Sequence, residues 1–230
     1  MGIPAWLTIV SWIFIGVGLL SAALILADIY LLGYREHVKI MEAVWPLTAL
    51  YAGPLALAAY ARWGRPMSYR WMKARNRGMP GKPFWAGTAV SATHCGAGCV
   101  LGDLIAEWVV FAAGLQLLGF ALPVEYPFDY VLALSWGILF QYFVIQPMRH
   151  LAVGQGLRLA AKADFLALSA FEVGLFGWMA IMQLVLFTSS HLATDTAAFW
   201  FLMQVGMLIG FVTTYPVNWW LIRHGIKDVM

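Results

Sequence analysis

Six stretches of this sequence are each long and apolar enough to cross roughly 30 Å of hydrocarbon. They run from about Ala5 to Leu32, Ala43 to Ala61, Phe84 to Phe120, Tyr130 to Gln146, Phe165 to Phe187 and Ala197 to Ile222. Inside a bilayer every backbone amide and carbonyl must find its partner within the chain, so such runs fold as helices. Composition agrees: 62% of the residues are hydrophobic, 11% are charged and 12 are tryptophan, an apolar surplus that 230 residues cannot bury in one soluble core. The expected fold class is all-α, a polytopic integral membrane bundle of about six transmembrane helices forming a single domain over residues 1–230. The first run is too long for a signal-peptide core and has no basic segment before it, so it is expected to stay as a span.

Loop charges give an orientation. Between Arg62 and Lys82 the chain carries Arg62, Arg65, Arg70, Lys73, Arg75, Arg77 and Lys82 with no acid, and Arg149, Arg158 and Lys162 follow the fourth run. By the positive-inside rule both segments are cytoplasmic, which places Glu125 with Asp129 and His191 with Asp195 in outer loops. An even number of spans and the basic tail Arg223-His224-Gly225-Ile226-Lys227 then put both termini in the cytoplasm. Basic clusters beside a bilayer ordinarily face anionic headgroups, so the lipid bilayer is the expected partner and no nucleic acid is. No soluble domain or internal repeat is evident, and the reading leaves room for an oligomer.

Against that background one segment stands out, Thr93 to Glu107, which puts a histidine, both cysteines of the chain and two carboxylates into an apparent span. Ionisable groups in hydrocarbon are costly and mark function by default. On a helix Cys95, Cys99, Asp103 and Glu107 follow at i, i+4 and form one slowly winding polar stripe. The third run is too long for one straight crossing, and glycine lets a backbone leave helical geometry. The segment is therefore expected to break or re-enter near Gly96 to Gly98. Packing gives the competing reading, because Gly98 and Gly102 form a small-xxx-small seam. Depth adds Gln141, Gln146, His150, Glu172 and Asn218 as a supporting cluster around an inner-leaflet cavity, with Asp28 near the outer end of the first span.

Three chemistries fit these residues. Two thiolates and an imidazole from His94, Cys95 and Cys99 suit a soft transition metal, copper(I) first and zinc second. Asp103 and Glu107 would then relay a proton or a harder ion outward, and Met148, Met179, Met182, Met203 and Met207 could lend thioethers. Thiol-disulfide exchange with a quinone or a redox partner comes second, since two cysteines one helical turn apart sit at the long end of disulfide geometry. Haem held by His94 and His150 comes third. Metal transport or handling is the leading expectation, with a membrane thiol or metal oxidoreductase, or a structural subunit of a larger complex, as alternatives.

The run His94-Cys95-Gly96-Ala97-Gly98-Cys99 followed by Leu101-Gly102-Asp103 resembles the signature of a bacterial membrane family, domain of unknown function 4396. Blocks at Met41, Val44 to Tyr51, Phe140 to Phe143, Pro147 to Arg149, Phe199 to Gln204 and Tyr215 to Ile222 extend the resemblance from about Met41 to Met230. It implies a multi-pass protein of the bacterial cytoplasmic membrane. Relatives described alongside copper oxidase modules lean the metal toward copper and suggest a copper protein as partner. The family carries no established activity, so the resemblance transfers no residue's role.

Overall fold

In the computed structural model the described residues are 3–76, 78–117, 121–149, 152–188 and 192–229. In chain order the helices are α1 (Ala5–Tyr30), α2 (Met41–Ala52), α3 (Pro54–Ala59), α4 (Tyr69–Arg75), α5 (Phe84–Ala113), α6 (Leu122–Arg149), α7 (Val153–Ile181) and α8 (Ala197–Arg223). A π-turn, Tyr60–Gly64, continues α3, and a second one, Met182–Leu186, continues α7. Among the described residues, α1, α5, α6, α7 and α8 are long and apolar enough to cross a membrane. The protein is thus an all-α, multi-pass membrane bundle. Side chains such as Trp6, Trp12, Leu20 and Leu24 stand exposed along α1 and form its lipid-facing surface.

The second apolar run does not make a sixth long helix. α2 ends at Gly53, whose φ of 51° an L side chain rarely adopts, and Pro54 opens α3 in a new direction. The tip of α2 reaches the middle of α1, where Leu50 O lies against Gly18 and Gly53 against Val17. From there the chain returns to where it entered. Tyr60 Oη donates to Asp28 Oδ2 at 2.8 Å, Arg65 Nε pairs with the same oxygen at 3.1 Å, and Glu36 bridges Ser68. α2 and α3 therefore form a re-entrant hairpin that enters and leaves at the carboxy-terminal end of α1.

That hairpin changes the expected arrangement of the ends. α1 and α8 begin together, with the Phe14 and Phe201 rings 5.0 Å apart. α5 begins where α8 ends, Phe84 packing edge-on against Trp219 at 4.6 Å and lying beneath the Arg223 guanidinium. Five end-to-end helices thus place the start of α1 and the end of α8 at opposite ends of the bundle, not together as an even count requires. Asp28 lies at the basic end with Arg65 rather than at the far one.

The break expected at Gly96 to Gly98 is also absent, because α5 runs unbroken from Phe84 to Ala113. At about 1.5 Å per residue it is longer than a typical hydrocarbon layer is thick. Its glycines serve close approach. A β-carbon on Gly98 would lie 2.8 Å from the backbone nitrogen of Gly137, and one on Gly102 would strike the backbone of Ala133. α5 and α6 consequently run antiparallel with backbones in near contact, and that register carries every side chain on their shared seam.

Candidate functional site

One turn outward from the pairs Gly98 with Gly137 and Gly102 with Ala133, the antiparallel register brings Asp129 of α6 level with Ala106 and Glu107 of α5. Asp103 is flanked by Glu107 on its own helix, by Asp129 and, from α7, by Glu172. Glu125, one turn before Asp129, faces Glu107. All five carboxyls are at most 5% exposed. Both oxygens of Asp103 and of Asp129, and one each of Glu107 and Glu125, have no hydrogen-bond partner among the described residues. Thr194 Oγ1 donates to the other Glu107 oxygen at 3.5 Å. Five carboxyls so placed would repel one another if ionised, and they lack the solvent that would screen them.

The acidic file opens at one end and meets sulfur at the other. A cavity of about 320 Å³, lined by Glu125, Gln183, Leu192 and Thr194, reaches it from the end of the bundle remote from the basic segment. Inward, Glu172 lies against Cys99, and Cys95 follows one turn farther along α5. A second cavity, about 190 Å³, has Tyr51, Asp103, Met203 and Met207 in its wall. Gly96, between the two cysteines, has no β-carbon because the Tyr51 hydroxyl from the hairpin tip occupies that space.

Cys95 ends the file against a charged group that the sequence concealed. Its thiol lies 3.7 Å from Asp164 Oδ1 of α7, 3.8 Å from Asn218 Nδ2 of α8 and 3.6 Å from Lys227 Nζ of the tail. Lys227 and Asp164 form an ion pair of 2.5 Å, with neither side chain exposed to any extent. Asn218 is fixed by donating to Thr214 Oγ1 at 3.0 Å.

Of the residues expected in the site, the structure joins Cys95, Cys99, Asp103, Glu107, Glu172 and Asn218 in this continuous line. It does not bring His94 to the cysteines. On an unbroken helix His94 shares a face with Val90 and Ala97, which pack with Trp45 and Phe140, whereas Cys95 and Cys99 pack with Phe171 and Leu168. Gln141 is fully buried on α6 without a hydrogen-bond partner among the described residues, and Gln146 is half-buried nearer the basic end. His150 lies outside the described residues, as does His191. Among the described residues, no three His, Cys, Asp or Glu side chains are grouped to hold a metal ion. Both cysteines are free thiols.

Four members of the site were not expected: Glu125, Asp129, Asp164 and Lys227. The loop charges place the first two in an outer loop, yet α6 already begins at Leu122, and their i, i+4 spacing repeats that of Asp103 and Glu107. That repetition was the available signal. Nothing local distinguishes Lys227 from its solvated neighbours Arg223 and His224.

Comparison with known proteins adds a family and no activity. No curated protein and no solved structure matches the chain. The profile of a family described as "Domain of unknown function (DUF4396)" matches residues 84–227, from the first residue of α5 to the lysine that meets Cys95, leaving α1, the hairpin and α4 outside. Every member of the acidic and thiol line lies within that match, which spans more than half of the sequence, and the chain belongs to this family.

Proposed function

We propose that the protein moves cations across the membrane along the line Glu125, Glu107, Asp129, Asp103, Glu172, Cys99 and Cys95. The observation that carries this reading is the file itself: carboxyls from three helices, buried and largely without partners among the described residues, lead from an open cavity to two thiols. A structural subunit has no use for so costly a feature, since apolar side chains of the same volume would hold the helices together at least as well.

Sulfur on the route favours a soft transition-metal cation as cargo, copper(I) before zinc, with protons carried on the carboxyls. Met203 and Met207, which share a cavity wall with Asp103, extend the soft donor set. Metal is here a substrate passing through, for which three ligands of one fixed site are unnecessary. The oxidoreductase reading has less support, because the unbroken α5 keeps the cysteines a full turn apart. By the positive-inside rule the end carrying Arg62, Arg65, Arg70 and Arg223 is cytoplasmic. The cavity at Glu125 then faces the opposite compartment.

The test is silver(I) or copper(I) uptake into proteoliposomes, followed beside an internal pH dye. Wild-type protein is expected to raise uptake above that of protein-free vesicles, and Asp103→Asn or Glu172→Gln to return it to that level with the fold intact. Uptake that is unchanged in the Asp103→Asn, Glu172→Gln double variant would overturn the proposal.

A further inference from the structure

The carboxy-terminal tail does not trail away from the bundle. α8 ends at Arg223, and Gly225, at φ 66°, reverses the chain so that the amides of Ile226 and Lys227 both donate to Leu221 O, at 3.0 and 3.4 Å. Ile226 packs on the core that contains both cysteines. The reversal points the Lys227 side chain inward, where Nζ meets Asp164 Oδ1 and Cys95 Sγ at the inner end of the acidic line.

An ammonium group there lies where a free cation would have to sit. Around it stand the Cys95 thiol and the Asp164 carboxylate, whose other oxygen, Asp164 Oδ2, is buried without a hydrogen-bond partner among the described residues. An ammonium carries three donor hydrogens, and here it finds one carboxylate oxygen and one sulfur. The fit is that of a stand-in. The tail holding it is a single reversed turn, and its next residues, Asp228 and Val229, line a cavity of about 340 Å³ at the basic end.

We infer that Cys95 and Asp164 form a cation-binding site, of mixed sulfur and oxygen donors, that Lys227 occupies as a tethered cation, and that the tail closes the cytoplasmic end of the pathway until it withdraws. The assignment rests on the cation-transport reading for its purpose, but the latch itself is a matter of access to one sulfur and is tested separately. With Lys227 seated, the site is filled and its charge repels the next cation in the file. Withdrawal leaves a thiol and a carboxylate facing the end of the line, donors suited to a borderline or soft cation.

The experiment uses the full chain carrying Cys99→Ser, so that Cys95 is the one thiol, in vesicles whose basic face is exposed to the reagent. The rate of Cys95 modification by the impermeant thiol reagent methanethiosulfonate ethyltrimethylammonium is measured. Lys227→Ala is expected to speed it by about tenfold or more, the factor that follows from losing one buried hydrogen bond to a charged group. Asp164→Asn, which leaves Lys227 without its counter-charge, reaches the same result with the tail sequence intact, and it stands in if Lys227→Ala fails to fold. Lys227→Arg is expected to keep the slow rate. Cobalt(II) should protect Cys95 in Lys227→Ala and not in the Lys227→Ala, Asp164→Asn double variant.

Equal labelling rates in wild type, Lys227→Ala and Asp164→Asn would overturn the latch, and absence of cobalt protection would overturn the site. Silver(I) flux in proteins that retain Cys99 separates the two proposals. Faster flux in Lys227→Ala supports both, whereas fast labelling with no flux in any variant leaves the latch standing and removes the transport reading.

Discussion

At the scale of single residues, the molecule depends on what is left out as much as on what is present. A β-carbon added at Gly98 would fall 2.8 Å from the Gly137 nitrogen and 2.9 Å from its Cα, and backbone cannot move aside as a flexible side chain can. Gly98→Val is therefore expected to cost at least about 1–3 kcal/mol and to lower the thermal midpoint in detergent. Gly154→Ala, which meets nothing within 4 Å, should leave that midpoint near wild type. A second residue sets a pH dependence. Burial pushes the Glu36 carboxyl, in the connection before α2, up to about 8, against the opposing pull of Lys82 and of the Trp45 indole that donates to it at 3.1 Å, with Glu42 adding to the rise. The folded state thus holds a proton that the unfolded chain releases near pH 4.5, so stability should decline as pH climbs from that value through about 8. Thermal melts across this window should show the decline, and Glu36→Gln should flatten it. The stripe Cys95, Cys99, Asp103 and Glu107 was legible because spacing on one helix is local information. Asp164 and Lys227 were not, since what makes them a site is a tertiary pairing 63 residues apart in sequence.

At the scale of elements, apolar runs gave the five long helices, and the errors fell where length alone was asked to decide. The run from Ala43 to Ala61 is long enough to span, but Gly53-Pro54 lies within it, and the pair folds it into a hairpin. Gly96 to Gly98 looked like a comparable break and is not one, because these glycines accommodate Tyr51 and the backbone of Gly137 while the helix continues. A glycine signals a broken helix only if the chain also needs a positive φ there, and sequence does not say which glycines do. At the start of α6, Pro123, Glu125, Pro127 and Asp129 read as a loop. Pro123 sits in the first turn of α6, where its missing amide costs little, and the two acids find their neighbours on α5 and α7.

At the scale of the whole molecule, the hairpin decides the topology. Single cysteines placed at Ile3 and at Val229 of a protein otherwise free of cysteine are expected to react with an impermeant maleimide from opposite faces of the membrane, while residues 39 and 73 react from the face of Val229. Reaction of Ile3 and Val229 from one face would restore the even count and remove the re-entrant assignment. The two ends of the acidic line also differ in kind. Among the described residues the cavity at Glu125 carries no basic residue in its lining, whereas the inner end is filled by Lys227. If the protein moves cations as proposed, a path open at one mouth and stoppered by a charge at the other would rectify: a voltage drawing cations from the Glu125 side would load the file and press on a like-charged plug, whereas the reverse voltage would find nothing to load until the plug had moved. Inward and outward currents through this protein would then differ in threshold as well as in size, and their ratio would report the position of the tail.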